Sequence, residues 1–148
     1  MAEKVIVASD HVGLLLRPEA VKVARAAGFE VEDLGPFTAD SVDYPDFARA
    51  VAEAVAAGRA QLGILVCGTG IGMSIAANKV AGVRAALCRT EYDARMARAH
   101  NDANVLCLGE RVTGIGLGAA VVEAFLKGSF EGGRHARRVD KLTALDRR

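Results

Sequence analysis

The sequence has no tryptophan, two tyrosines and five phenylalanines, so rings make up only 5% of its 148 positions. Such a chain offers little to stack bases on. An excess of one charge is missing as well. Nineteen Lys+Arg stand against eighteen Asp+Glu, a formal +1, which argues against a mainly electrostatic nucleic-acid binder. No apolar run approaches the ~18 residues of a membrane span. The opening MAEKVIVASD moves straight into a strand pattern, without the basic segment and long apolar stretch of a signal peptide. Three cysteines (Cys67, Cys88, Cys107) are an odd number with no CxxC pair, so neither a disulfide framework nor a zinc finger is indicated. These absences point to a cytoplasmic globular protein with neither nucleic acid nor membrane as partner. At about 100–200 residues per domain, one domain spanning residues 1–148 is expected. A domain of this size buries roughly two-thirds of its unfolded surface, so no metal or disulfide staple is required.

What is present is apolar, at 51% of residues, and it comes in short runs separated by segments of helical period. The runs are Val5–Ala8, Phe29–Val31, Gly63–Cys67, Val83–Cys88 and Val105–Leu108. The first, third and fifth lack polar alternation, as strands buried on both faces of a parallel sheet do. Between them, Leu14–Ala27 reads as a helix stopped by Gly28. Asp43–Ala57 opens with a capping Asp43 and Pro45 in its first turn. Thr90–Ala99 starts with Thr90 three residues before Asp93, a capping-box variant. Gly116–Lys127 and roughly Arg137–Leu145 complete the set. Alternating strands and helices predict an open α/β sheet with right-handed crossovers.

In such sheets ligands sit beyond the carboxyl ends of the strands, so the residues after each run matter most. Ser9-Asp10-His11 follow the first strand and Cys67-Gly68-Thr69-Gly70-Ile71-Gly72 the third. His100-Asn101 precede the fifth, and Gly109-Glu110-Arg111 follow it. The expectation is that His11, His100 and Cys67 converge on one edge. The glycine loop fails as a dinucleotide fingerprint, because the third glycine of GxGxxG would fall at Met73. It also lacks the Gly-Lys-Ser/Thr ending of a Walker loop. What remains is a nest of backbone N–H groups at a helix start, suited to a small anion or developing oxyanion; glycines that merely ease the turn are the plainer alternative. A cysteine ending an apolar strand is most often a small buried hydrophobe, and Cys88 and Cys107 fit that description. Cys67 differs because the nest follows it and can stabilise a thiolate.

The end of the chain is basic. Six basic residues (Arg134, Arg137, Arg138, Lys141, Arg147, Arg148) against two acidic ones (Asp140, Asp146) give it +4, leaving −3 for the rest. A solvated helix face or a subunit contact would account for this charge. Arg134 and Arg138, four residues apart, would sit ~6 Å apart on one helix face, a spacing suited to a phosphate dianion. Together the groups suggest proton transfer on a phosphorylated small molecule. A metal site built from Asp10, His11, Cys67 and His100 is a rival reading, though the spacing lacks HxxxH or CxxC. A non-catalytic phosphosugar-binding module is another.

The motifs Ser-Asp-His-Val-Gly (9–13), Asp-Tyr-Pro-Asp (43–46), Cys-Gly-Thr-Gly-Ile-Gly (67–72), Ala-Ala-Asn-Lys (76–79), His-Asn-Asp-Ala-Asn-Val-Leu (100–106) and Gly-Gly-Arg-His-x-x-Arg-Val (132–139) resemble the type B ribose-5-phosphate isomerases. That family also holds allose- and galactose-6-phosphate isomerases. The resemblance implies a Rossmann-like three-layer α/β/α sandwich with a five-stranded parallel sheet. It further implies homodimers or tetramers, sites shared between two subunits, and no metal or cofactor. It makes Cys67 the base that moves a proton between C2 and C1 of a pentose phosphate. The backbone of Gly68, Thr69, Gly70, Ile71 and Gly72, with the Thr69 hydroxyl, would stabilise the enediolate. His100 would open the sugar ring with help from Asp10, while Tyr44 and Asn101 line the sugar site. His11, Arg134 and Arg138 would hold the phosphate, and Arg111 would complete the pocket from the partner subunit. One branch of the family has a glutamate directly after the loop; here that position is Met73, so the resemblance is to the cysteine branch.

Overall fold

The structure is a computed structural model and describes residues 3–146. In chain order its elements are β1 (Lys4–Ser9), α1 (Leu16–Ala26), β2 (Glu30–Asp33), α2 (Tyr44–Ala56), β3 (Leu62–Cys67), α3 (Ile71–Ala77), β4 (Ala85–Leu87), α4 (Glu91–Asn101), β5 (Val105–Gly109), α5 (Glu110–Lys127) and α6 (Arg134–Thr143). The five strands form one parallel sheet in the order β2-β1-β3-β5-β4. This is the expected α/β/α sandwich.

The sheet has an apolar cluster on each face, and strand periodicity sorts residues between them. Val5 and Val7 of β1, Ile64 and Val66 of β3, and Leu106 and Leu108 of β5 pack with α1, α4 and α5. The intervening Ile6, Ala8, Leu65, Cys67, Val105 and Cys107 pack with α2 and α3. Continuous apolar runs are needed because neither face of the central strands meets water.

Helix ends depart from the sequence reading in instructive ways. Thr90 caps α4, its hydroxyl accepting from the Asp93 N–H at 3.0 Å. The reciprocal bond goes one residue early, from the Arg89 N–H to Asp93 Oδ2. Asp43 stands at the N-cap of α2 without a side-chain cap bond. The start of α1 is capped from a distance: Glu110 Oε1 accepts from the N–H groups of Leu15 and Leu16 at 3.0 and 2.7 Å. Helix α5 begins at Glu110 rather than Gly116, with a break at Gly114 (φ 75°) that hides its first turn from periodicity. Helix α6 begins at Arg134, directly after Gly132 and Gly133, both at positive φ. Arg147 and Arg148 of the basic tail lie outside the described residues.

Candidate active site

From β1 the chain moves to β2 on one side of the sheet, and from β3 it moves to β4 and then β5 on the other. The loops leaving β1 and β3 therefore lead to opposite sides, which is the position beyond the carboxyl edge where open α/β sheets hold their ligands. The two loops are tied together there, the Asp10 N–H donating to the Val66 carbonyl at 3.1 Å.

Cys67 ends β3 and is 5% exposed. The chain turns sharply after it, and the Gly70 N–H comes back to donate to Cys67 Sγ at 3.1 Å. A donor aimed at sulfur stabilises negative charge there. Gly70 has φ 79°, and a Cβ on it would fall 2.5 Å from Leu87 Cδ1 and 2.9 Å from the Leu108 carbonyl carbon. Both conformation and space thus demand glycine. Thr69 is exposed, and its Oγ1 accepts from the Ile71 N–H at 3.2 Å. The N–H groups of Gly72 and Met73 in the first turn of α3 have no intrahelical partner. Met73 itself is fully buried. The other two thiols differ in kind: burial, then Asp93, pushes Cys88 up to about 12. Burial, then Cys67 and Cys88, raises Cys107 further.

Several expected side chains gather around this loop. Asp10 is buried, and its Oδ1 accepts from the Val12 N–H at 2.9 Å, fixing the turn after β1. His11 Nδ1 accepts from the Val42 N–H at 3.1 Å; a neutral ring accepting there carries its proton on Nε2. That bond also anchors the segment leading to Tyr44, whose ring lies against Gly72: a Cβ on Gly72 would fall 2.5 Å from Tyr44 Cε1. Arg111 follows β5, and its N–H donates to the Gly68 carbonyl at 3.1 Å. Its guanidinium Nη1 lies 3.8 Å from where a Gly68 Cβ would stand. Arg111 thus joins Cys67 within the same chain, which corrects the expectation that the partner supplies it here.

His100 and Asn101 do not join them, and the expected convergence on one edge is overturned. In a parallel sheet a crossover helix starts at the carboxyl edge and returns the chain to the amino edge. His100 and Asn101 are the last residues of α4, so they fall where β5 begins. Val105 pairs with Gly63 while Cys67 pairs with Gly109, so four residues, about 13 Å of strand, lie between the two edges. The same separation dismantles the four-residue metal reading, since Asp10, His11 and Cys67 cannot meet His100 in one chain.

The amino edge carries a second group. The His100 and His135 rings stack with centroids 4.1 Å apart and planes at 10°. Glu131 Oε1 lies 3.8 Å from His100 Nε2 and 3.6 Å from His135 Nε2. His135 is 7% exposed; its pKa is lowered by burial first, then by His100 and Arg134. Arg134 and Arg138 stand exposed on α6, one turn apart. Asn101 borders a cavity of about 510 Å³ also lined by Asn78, Arg84, Thr143 and Asp146. Sequence reading missed Glu131 and His135; their i,i+4 spacing was visible, but their meeting with His100 is a tertiary fact. It also missed Arg17, which is 5% exposed, donates to Ser9 Oγ at 2.7 Å, and lies 3.0 Å from Asp33 Oδ1. The latter contact is an ion pair without an aligned N–H, since Nε has no hydrogen-bond partner.

Comparison with known proteins agrees with this architecture. The sequence profile of the Ribose/Galactose Isomerase family matches residues 5–142. The chain belongs to that family. Ribose-5-phosphate isomerase B of Escherichia coli is 47% identical over 146 residues, covering 99% of this chain and 98% of that one. The type B ribose 5-phosphate isomerase of Trypanosoma brucei superposes with a TM-score of 0.95 at 51% identity, over 98% of this chain and 99% of that one. Mycoplasma genitalium ribose-5-phosphate isomerase B, solved with bound ribulose-5-phosphate, gives 0.94 at 47% identity, over 99% and 97%. No helix among the described residues is long and apolar enough to cross a membrane.

Proposed function

We propose that this member of the ribose/galactose isomerase family interconverts ribose 5-phosphate and ribulose 5-phosphate through an enediolate, with Cys67 as the base. The observation that carries the chemistry is the Gly70 N–H on Cys67 Sγ, in a turn whose next amides open a helix. Isomerisation removes the proton from C2, moves the electron pair into an enediolate, and returns a proton to C1. It needs a base within hydrogen-bond reach and donors aimed at the growing oxyanion. The Gly70 amide holds the sulfur and the Ile71 amide holds the Thr69 hydroxyl oxygen. This leaves the amides of Gly68 and Gly72 and the hydroxyl proton of Thr69 as the donors, with Met73 next in the helix turn. One such donor is typically worth ~2.7–4 kcal/mol. His11, presenting Nε2–H, and Arg111 take the phosphate from the Cys67 side, with Tyr44 against the sugar.

His100, Asn101, Arg134 and Arg138 complete this site from a second copy of the chain. The support is geometric: the two groups occupy opposite edges of one sheet and cannot meet within a protomer. Two-fold pairing brings the amino edge of each copy to the carboxyl edge of the other, creating two equal sites. In this arrangement His100 opens the furanose, with Asp10 assisting, and the α6 arginines close on the phosphate. Remote phosphate binding then positions C1 and C2 against the sulfur. Three free, buried cysteines suit a reducing, cytoplasmic setting for a protein acting as one domain.

Two experiments test the proposal. Ketose formation is measured from ribose 5-phosphate and from allose and galactose 6-phosphates; the pentose is expected to be preferred, and turnover of the hexoses alone would reassign the substrate. Separately inactive Cys67→Ala and His100→Asn chains are then co-refolded. Shared sites predict regained activity, because one site of each mixed dimer is then wild-type in both residues; a mixture as inactive as its components refutes sharing.

A further inference from the structure

We propose that His100, Glu131 and His135 form a binding site for a divalent transition-metal ion of the zinc type. Their ligand atoms, one from each residue, lie within 4.8 Å of one another. They come from three segments: the end of α4, the loop after α5, and the first turn of α6. The loop is fixed by the Glu131 N–H donating to the Ala99 carbonyl at 3.0 Å. The carboxylate faces both imidazoles at 3.6–3.8 Å, too far for a hydrogen bond. Three strong ligands thus converge with no hydrogen bond among them, held at ion-pair distance.

Two histidines and one carboxylate match a three-ligand zinc set that leaves a fourth position open. Bonds of 2.0–2.2 Å in a tetrahedron place ligand atoms about 3.4 Å apart, a few tenths closer than the two Glu131–imidazole distances. The set as a whole, which spans up to 4.8 Å, must contract on binding. His135, with its side chain 9% exposed, is the fixed member; Glu131 at 58% and His100 at 37% are free to close. Both Nε2 atoms lie near Glu131 Oε1 on rings stacked at 10°, so His100 must turn out of the stack to bind the same ion as His135. Arg134 and Arg138 add positive charge beside His135, making the site weaker than a structural zinc centre. The ion takes no part in isomerisation. If His100 opens the sugar ring, as proposed above, occupancy withdraws it and inhibits the enzyme; that consequence alone rests on the functional proposal.

Metal-free protein is titrated calorimetrically with Zn²⁺ in phosphate-free buffer, and Co²⁺ absorption reports the coordination geometry. One ion per chain is expected. Glu131→Gln, which keeps the side-chain shape, and His135→Ala should each weaken binding by more than the roughly 10–100-fold lost with an outer partner. Circular dichroism establishes that each variant is folded. Absence of saturable binding, undiminished binding by folded Glu131→Gln, or loss of binding in Cys67→Ala would each overturn the site. Inhibition of wild-type turnover by Zn²⁺, relieved in Glu131→Gln, supports both proposals. Site-specific binding that leaves turnover untouched supports the metal site and counts against His100 in ring opening.

Discussion

Gly70→Ala tests the turn that holds Cys67. The substitution forces a non-glycine residue to φ 79° and drives a Cβ to 2.5 Å from Leu87 Cδ1 and 2.9 Å from the Leu108 carbonyl carbon. The conformational part costs about 1–2 kcal/mol. Overpacking against a fixed backbone adds about 1–3 kcal/mol, since the Leu87 side chain can shift but the β5 main chain cannot. The sum, about 2–5 kcal/mol, corresponds to a fall of roughly 4–20 °C in melting temperature for a domain of this size. Alanine keeps the backbone N–H, but a turn forced off φ 79° carries that N–H away from the sulfur. The folded variant should then also lose about 10²–10³ in kcat, the scale of one misplaced catalytic donor. Thermal unfolding followed by calorimetry, with kcat measured well below the transition, reads both effects. A variant that melts within 2 °C of wild type and turns over normally would refute the account of this loop.

Thr90→Ala removes the cap of α4 and should lower stability by about 1 kcal/mol, or roughly 2–4 °C, without changing the isomerisation rate. Arg17→Ala leaves the buried Ser9 hydroxyl without its donor and removes the ion pair to Asp33, which is part-exposed and still accepts from the Gly35 N–H. Urea unfolding should show a loss of about 1–3 kcal/mol, and unchanged stability would mark the contact as incidental. Cys88 and Cys107 titrate above the ordinary 9.0 when folded. The folded state therefore holds their protons where the unfolded state releases them. Their contribution is complete below pH ~9 and declines as pH rises from there through about 12. Cys107→Val should flatten that alkaline decline in denaturant titrations, and an unchanged slope would show that other groups set it.

The sheet was legible because Val5–Ala8, Gly63–Cys67 and Val105–Leu108 are apolar at every position, a pattern that only strands covered on both faces require. The Cys67 loop was legible because glycine spacing after a strand has few structural meanings. His100 was misassigned for a topological reason. Its place next to β5 in sequence says nothing about which end of β5 it adjoins unless the direction of α4 is followed. The first turn of α5 was missed because Gly114 interrupts the period on which helix recognition depends, and that of α6 because two glycines, Gly132 and Gly133, stand directly before it and read as loop. The stacking of His100 on His135 joins residues 35 positions apart, and no local pattern records it. Glu110, capping α1 across 94 residues, was hidden for the same reason.

In the proposed reaction one sulfur, held by a main-chain amide, carries the proton between two sugar carbons. The most direct measurement follows ribose 5-phosphate in deuterium oxide by NMR, comparing wild type with Cys67→Ala, alongside calorimetric binding of a non-reactive sugar phosphate. Cys67→Ala is expected neither to form ketose nor to exchange the C2 hydrogen, yet to bind the sugar phosphate within about tenfold of wild type, an energy difference near 1.4 kcal/mol. Exchange at C2 persisting at the wild-type rate without that sulfur would contradict this role for Cys67.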